Sequence, residues 1–240
     1  MDAVILCGGE GTRIRHLLPE GTPKAMADIN GTPFVDILRN HLRFHGFQRF
    51  VLCIGMGYRQ IMAPFGILDY IDPDGTGEIT NWSVTIDRQI GEEIWFSYER
   101  EPLGTGGALK NAKPCICSDP FLVVNGDTLC DVDYEAMLAY HKATNSTITV
   151  ACDSYFRHVG TFVASRRLIE FMSSGVKVDM AEVFTLLGQR HEPVGWFMTG
   201  APFHDIGSPE GLSEFRNYWA QLPKGGEGRM VGNIEDPVQG

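Results

Sequence analysis

The sequence predicts an α/β fold: a Rossmann-like three-layer αβα sandwich with a mixed, mostly parallel central sheet. Three observations carry this expectation. Over residues 3–54 a strand, a long loop, a helix and a second strand follow one another. That is a βαβ unit, with a right-handed crossover and parallel neighbours. Two glycine-rich loops, at 8–11 and 104–107, each follow an apolar strand-like run. A polar, turn-rich stretch at 66–93 reads as a hairpin excursion added to the sheet.

The elements follow in chain order. Ala3-Val4-Ile5-Leu6 is a short apolar run of buried-strand type. After it come Gly8, Gly9 and Gly11, then Thr12, Arg13 and, past a loop, Lys24. Glycines let backbone N–H groups approach a ligand, and successive N–H groups form a concavity suited to anions. The stretch is either a triphosphate pocket or a tight βα turn with two surface cations. Two phosphate motifs fail on it. The dinucleotide fingerprint lacks its third glycine, which excludes a nicotinamide dehydrogenase, and the P-loop lacks its Gly-Lys-Ser/Thr.

Thr32-Pro33 opens a helix to about Gly46, with Phe34, Ile37, Leu38, Leu42 and Phe44 as its apolar stripe. Arg49–Ile54 is the second buried strand. Within the excursion, Asp72–Gly77 is turn chemistry and Trp82–Ile86 alternates as a strand. Ile94–Tyr98 returns as a strand and leads into the second glycine loop, Pro102-Leu103-Gly104-Thr105. Ligands of open α/β sheets bind at the carboxyl ends of strands, where both loops lie. Phe121–Val124 ends at Asn125-Gly126-Asp127, so Asp127 either holds a hard cation such as Mg²⁺ or shapes a turn. Asp205 stands in the same relation to a terminal helix capped by Ser208 and begun by Pro209. His204 beside it is a ligand or a packing residue, packing being favoured.

Composition narrows the function. The 240 residues suffice for one domain, drawn as 1–222 with the excursion inside it, and the glycine-rich stretch 223–240 reads as a flexible tail. A net charge of −10 argues against nucleic acid and anionic membrane as partners. Arg13, Arg15 and Lys24 therefore supply a local positive site on an acidic background. No run has transmembrane length and Met1-Asp2 leads straight into a strand, so a cytoplasmic location is expected. The six cysteines lack zinc-site spacing and read as reduced and structural.

Together, G-G-x-G-T-R…P-K at 8–24, E-P-L-G-T-G-G-A at 101–108, N-G-D at 125–127 and D-I-G-S-P-E at 205–210 resemble the sugar-1-phosphate nucleotidyltransferase family. The wording is nearest to the D-glycero-α-D-manno-heptose 1-phosphate guanylyltransferases. The resemblance implies a nucleoside triphosphate and a sugar 1-phosphate as substrates, in-line attack on the α-phosphate, and Mg²⁺ as cofactor. It implies Arg13, Lys24 and Asp127 as catalytic residues, with Asp127 and Asp205 on the metal. Leu6, Gly8, Gly9, Gly11, Thr12, Glu99, Pro102, Gly104 and Thr105 would contact the nucleotide. Gly126, Gly160, Thr161 and Asp179 would contact the sugar.

Glu99 bears on the base. It matches a position where thymidylyl-transferring relatives carry a glutamine facing the base. An ionised carboxylate only accepts hydrogen bonds, and guanine offers it two adjacent donors. GTP is favoured on that ground, with uridylyl, thymidylyl or cytidylyl transfer as alternatives; Glu99 as a solvated strand-end residue also stays open. The acceptor side departs from the family. Ile148–Cys152 and Gly160–Ala164 are separated by seven residues, a shortened segment, and Val178-Asp179-Met180-Ala181-Glu182 lacks the family's phosphate-binding lysine. Lys177 or Arg157 is the substitute. The pocket is either more open than usual or completed by the excursion or a second subunit; an exposed hairpin makes a homodimer an expectation. These reduced acceptor motifs also motivate a second hypothesis, a non-catalytic nucleotide-sugar-binding protein.

Overall fold

The structure, a computed structural model, describes residues 1–9, 11–65, 82–87 and 91–222. Its strands are β1 (Asp2–Leu6), β2 (Asp28–Ile29), β3 (Thr32–Pro33), β4 (Arg49–Ile54), β5 (Trp82–Asp87), β6 (Glu92–Tyr98), β7 (Phe121–Asn125), β8 (Thr128–Cys130), β9 (Ile148–Cys152), β10 (His158–Ala164), β11 (Val194–Met198) and β12 (Phe203–Asp205). Its α-helices are α1 (Phe34–Phe44), α2 (Tyr58–Met62), α3 (Gly104–Ala112), α4 (Tyr134–Ala143), α5 (Met180–Gln189) and α6 (Pro209–Gln221).

Eight strands form one sheet in the order β11-β9-β10-β7-β1-β4-β6-β5. The centre, β7-β1-β4-β6, is parallel, whereas β10 runs antiparallel to both neighbours and β5 antiparallel to β6. The reason for the parallel core is in the residues: β1, β4 and β7 are apolar on both faces, as strands covered on two sides must be. Alternate residues along β1 enter opposite cores. Ala3 and Ile5 pack in the core that takes in α1, α4 and α6, and Val4 in the one that takes in α3 and α5. The three layers follow.

The α1 stripe differs from expectation at both ends. Thr32-Pro33 is a strand paired with Asp28-Ile29, and the helix starts at Phe34. Phe44 lies on the outside, 57% exposed, because the inner face at that end is occupied by His41 and Leu42. The excursion also ends earlier than drawn: Glu92 and Glu93 are the first residues of β6. Of that stretch, 66–81 and 88–90 lie outside the described residues, as does the tail 223–240. Ser208 caps α6 by accepting from the Gly211 N–H at 3.0 Å, with Pro209 next, as the sequence predicts. All six cysteines are free thiols, and only Cys117 is exposed. Among the described residues no helix is long and apolar enough to cross a membrane.

Candidate active site

The carboxyl ends of β1, β6 and β7 open onto a cavity of about 330 Å³, within the size range of small-molecule sites. Its wall takes Leu6, Cys7, Gly8 and Gly9 from the first loop, Lys24 and Ala25 from the segment after it, and Glu99, Pro102, Gly104 and Thr105 from the second. Asn125, Gly126 and Asp127 close it from β7, and Lys177 and Asp179 from the segment before α5. Gly126 is needed at its place by close packing. Its N–H donates to the Leu6 carbonyl at 3.0 Å, and a Cβ there would lie 2.7 Å from that same oxygen.

Asp127 and Asp205 are 78 residues apart in sequence and are brought together by a separate two-stranded sheet, β8 with β12. Asp205 pairs with Thr128, and the Ile206 N–H donates to the Asp127 carbonyl at 2.9 Å. A Cβ on Gly207 would sit 2.8 Å from Asp205 Oδ1, 2.9 Å from Arg13 Nη2 and 3.0 Å from Asp127 Oδ2. Two carboxylates and a guanidinium thus converge on one point. The Lys24 ammonium is ion-paired to Asp127 Oδ2. Hard oxygen donors around a spot where a cation already sits suit Mg²⁺, which takes one or two protein carboxylates and completes its shell with phosphate oxygens and water.

Glu99, 8% exposed, lies at the other end of the cavity. Its Oε2 accepts from the Leu103 N–H at 3.3 Å, and its Oε1 lies where a Cβ on Gly8 would be, 2.2 Å away. Only glycine at position 8 leaves room for this carboxyl. Burial pushes the group up to about 7, partly opposed by the Leu103 hydrogen bond. Cys7 is pushed up to about 12 by burial and then by the Asp127 charge, so it is a neutral thiol and no nucleophile.

Several expected site residues have other engagements. The Gly106 and Gly107 N–H groups at the start of α3 donate to the Val178 carbonyl at 2.9 and 3.1 Å, so these donors do not face a phosphate. The Thr105 hydroxyl accepts from the Met180 N–H at 3.1 Å, which holds the 177–180 segment over the cavity. Asp179 is the N-cap of α5, with Glu182 reaching back to its N–H at 3.3 Å. Gly11, Thr12 and Arg13 do not line the cavity, and the Arg13 Nη2 lies beside Gly207, where the two aspartates also converge. Gly160 and Thr161 lie outside it as well: Gly160 packs on Thr128, and Thr161 is a buried strand residue opposite Val124. Arg157 is committed to Asp153 at 2.7 Å, whereas Lys177 lines the cavity. His204 stacks on Tyr218 with ring centroids 4.4 Å apart, a packing role.

Residues 2–160 match the family described as nucleotidyl transferase. The D-glycero-alpha-D-manno-heptose 1-phosphate guanylyltransferase of Aneurinibacillus thermoaerophilus is 32% identical over 178 residues, covering 73% of this chain and 68% of that one. The protein of the same name from Campylobacter jejuni is 34% identical over 151 residues, 63% of this chain and 57% of its own. Among solved structures, HddC from Yersinia pseudotuberculosis complexed with GMP-PN has a TM-score of 0.69 at 28% identity, covering 91% of this chain and 99% of that one.

Proposed function

The chain belongs to the nucleotidyl transferase family, among the sugar-1-phosphate nucleotidyltransferases, and from that premise we propose that it transfers a guanylyl group from GTP to a heptose 1-phosphate-like sugar 1-phosphate. One observation carries the choice of base. A carboxylate is built into the cavity wall, and among the described residues no donor is bonded to its Oε1. Guanine presents N1–H and its 2-amino group side by side, two donors that an ionised Glu99 can accept from. Uracil and thymine present one donor flanked by acceptors that would repel it. The relatives named as guanylyltransferases support the same reading.

The chemistry needs no protein nucleophile. An oxygen of the sugar phosphate attacks the α-phosphorus, the bond to the α–β bridging oxygen breaks, and pyrophosphate leaves with that oxygen. What the protein supplies is proximity of two polyanions and stabilisation of charge. Lys24 holds the α-phosphate or the incoming sugar phosphate, and Arg13 neutralises the leaving group. Asp127 and Asp205 would hold Mg²⁺. Such an ion would supply Lewis-acid polarisation of the phosphoryl oxygens and offset the repulsion between the substrates. Lys177 supplies the cation missing from the acceptor motif.

The test is a pyrophosphate-release screen of the four nucleoside triphosphates against a panel of sugar 1-phosphates with Mg²⁺. GTP with a heptose 1-phosphate is expected to turn over fastest. A preference for another triphosphate overturns the base assignment. Tight nucleotide-sugar binding with no pyrophosphate from any pair replaces the enzyme with a binding protein.

A further inference from the structure

Away from the cavity, α1 ends in a second cluster of polar groups. His41, in the last turn of α1, and His45, its C-cap, are four residues apart and lie beside each other. Asp131, 86 residues beyond His45, follows β8 and projects between them. One ligand atom from each of the three lies within 4.8 Å of the other two. Asp131 Oδ1 is 2.9 Å from His45 Nε2 and 3.6 Å from His41 Nε2. Adjacent ligands of a tetrahedral Zn²⁺ with bonds near 2.0 Å stand about 3.3 Å apart. These two distances bracket that value.

The contacts are not those of a finished hydrogen-bond network. Asp131 Oδ1 is shielded from solvent and has no hydrogen-bond partner, although two imidazole nitrogens stand beside it. At 2.9 Å the ring N–H of His45 does not point at this oxygen. A buried carboxylate oxygen left in that condition is costly, and natural proteins satisfy such atoms with a partner, a water or an ion. A cation held between this oxygen and the ring nitrogens beside it would satisfy it. Tyr134, whose hydroxyl lies 3.2 Å from His41 Nε2 and donates to the Cys130 carbonyl at 2.9 Å, backs the cluster on its buried side. His45 is exposed and leaves the other side open.

We propose that His41, His45 and Asp131 form a site for a divalent transition metal of the Zn²⁺ class, distinct from the two aspartates of the active site. Two imidazoles and a carboxylate select Zn²⁺ or Co²⁺ over Mg²⁺, which prefers oxygen ligands only. The fourth position falls to water on the exposed side. The metal ties the end of α1 to the chain emerging from β8, the strand that starts one residue after Asp127 and pairs with the strand carrying Asp205. It therefore braces the element that holds the two active-site aspartates together.

The experiment titrates the full chain, stripped with chelator and held in excess Mg²⁺, with Co²⁺ and with Zn²⁺. Expected are one equivalent bound, ligand-field bands in the visible for Co²⁺, and a Tm rise of about 5–10 °C at a free metal concentration near 100 Kd. His45→Ala and Asp131→Asn, each shown folded by its metal-free Tm, should bind at least about 30-fold more weakly, in line with loss of one of three ligands. Cys117→Ser should bind as the unaltered chain does. Absence of stoichiometric binding, or binding by both variants at unaltered strength, overturns the proposal. X-ray absorption of the Zn²⁺-loaded unaltered chain gives a readout without substitutions: two imidazoles and oxygen ligands support the site, and sulfur ligation overturns it.

Discussion

Replacing Glu99 by glutamine separates two things the native carboxylate does at once. Burial is the main reason the group sits at about 7 instead of 4.5. At about 1.4 kcal/mol per pH unit, keeping it ionised there costs the folded chain about 3 kcal/mol. The sign follows from proton binding. Between 4.5 and 7 the folded protein holds a proton that the unfolded chain has released. Stability therefore falls as pH rises through that window and levels off above it. Glu99→Gln keeps an acceptor for the Leu103 N–H and removes the charge. It should raise Tm at pH 8 by up to about 6–12 °C and leave Tm at pH 4 unchanged. For GTP the effect is opposite. A hydrogen bond to a charged group is worth about 1.5–3 kcal/mol, so losing the carboxylate should weaken GTP binding roughly 10- to 100-fold. Isothermal titration calorimetry with GTP and no sugar phosphate, from pH 6 to 8, reads this directly. The native protein should lose affinity towards tenfold per unit below about pH 7 as Glu99 takes up its proton. The γ-phosphate titrates in both proteins, so the ratio of variant to native Kd isolates the side chain. A variant that keeps the native affinity, with a ratio flat across pH, refutes the contact between Glu99 and guanine.

Three more substitutions probe the rest of the molecule. Asp127→Asn should lower kcat in the pyrophosphate assay by at least about 100-fold with little change in Tm, because the lost group acts on charge in the transition state; turnover near the native rate would remove Asp127 from the metal. Lys177→Ala should raise KM for the sugar 1-phosphate about tenfold and leave the GTP Kd alone, a loss of one phosphate contact; an unchanged KM would return the acceptor cation to some other residue. Glu92, fully buried and ion-paired with Arg39 and with Arg43 at 3.5 Å, differs from Glu99 in having its counter-charges. Glu92→Ala should destabilise by about 3–5 kcal/mol in urea unfolding, since it strands a mostly buried guanidinium.

The contrast between those two glutamates shows how far the chain can be read without its fold. Both stand at an end of the same strand and look alike in sequence. Which one meets arginines and which one faces a cavity depends on what α1 and the first glycine loop bring to each end of β6. Neither is set by neighbours in the chain.

The sequence by itself determined the parts whose cause is local. Apolar runs of strand length at β1, β4 and β7 can only be buried on both faces, which makes a parallel, two-sided sheet. Ser208-Pro209 starts a helix wherever it is placed, and glycine loops at strand ends mark the ligand edge. Tertiary structure decided the parts that arise from convergence over long separations. The β8–β12 pairing brings Asp205 to Asp127, a pairing that two three-residue strands cannot announce. The Thr105–Met180 bond holds the segment of Lys177 over the cavity, whereas Arg157 is held outside it by Asp153. Thr161 is drawn into the sheet opposite Val124 of β7 and Gly160 packs on Thr128, so neither lines the pocket. His41 and His45 show a four-residue spacing that the sequence does display, but their third partner lies 86 residues on and is identified only by the fold. The physical reason is the same in each case. Hydrophobic periodicity and capping act within a turn or two of chain, whereas a binding site is assembled from side chains whose proximity is a property of the packed whole.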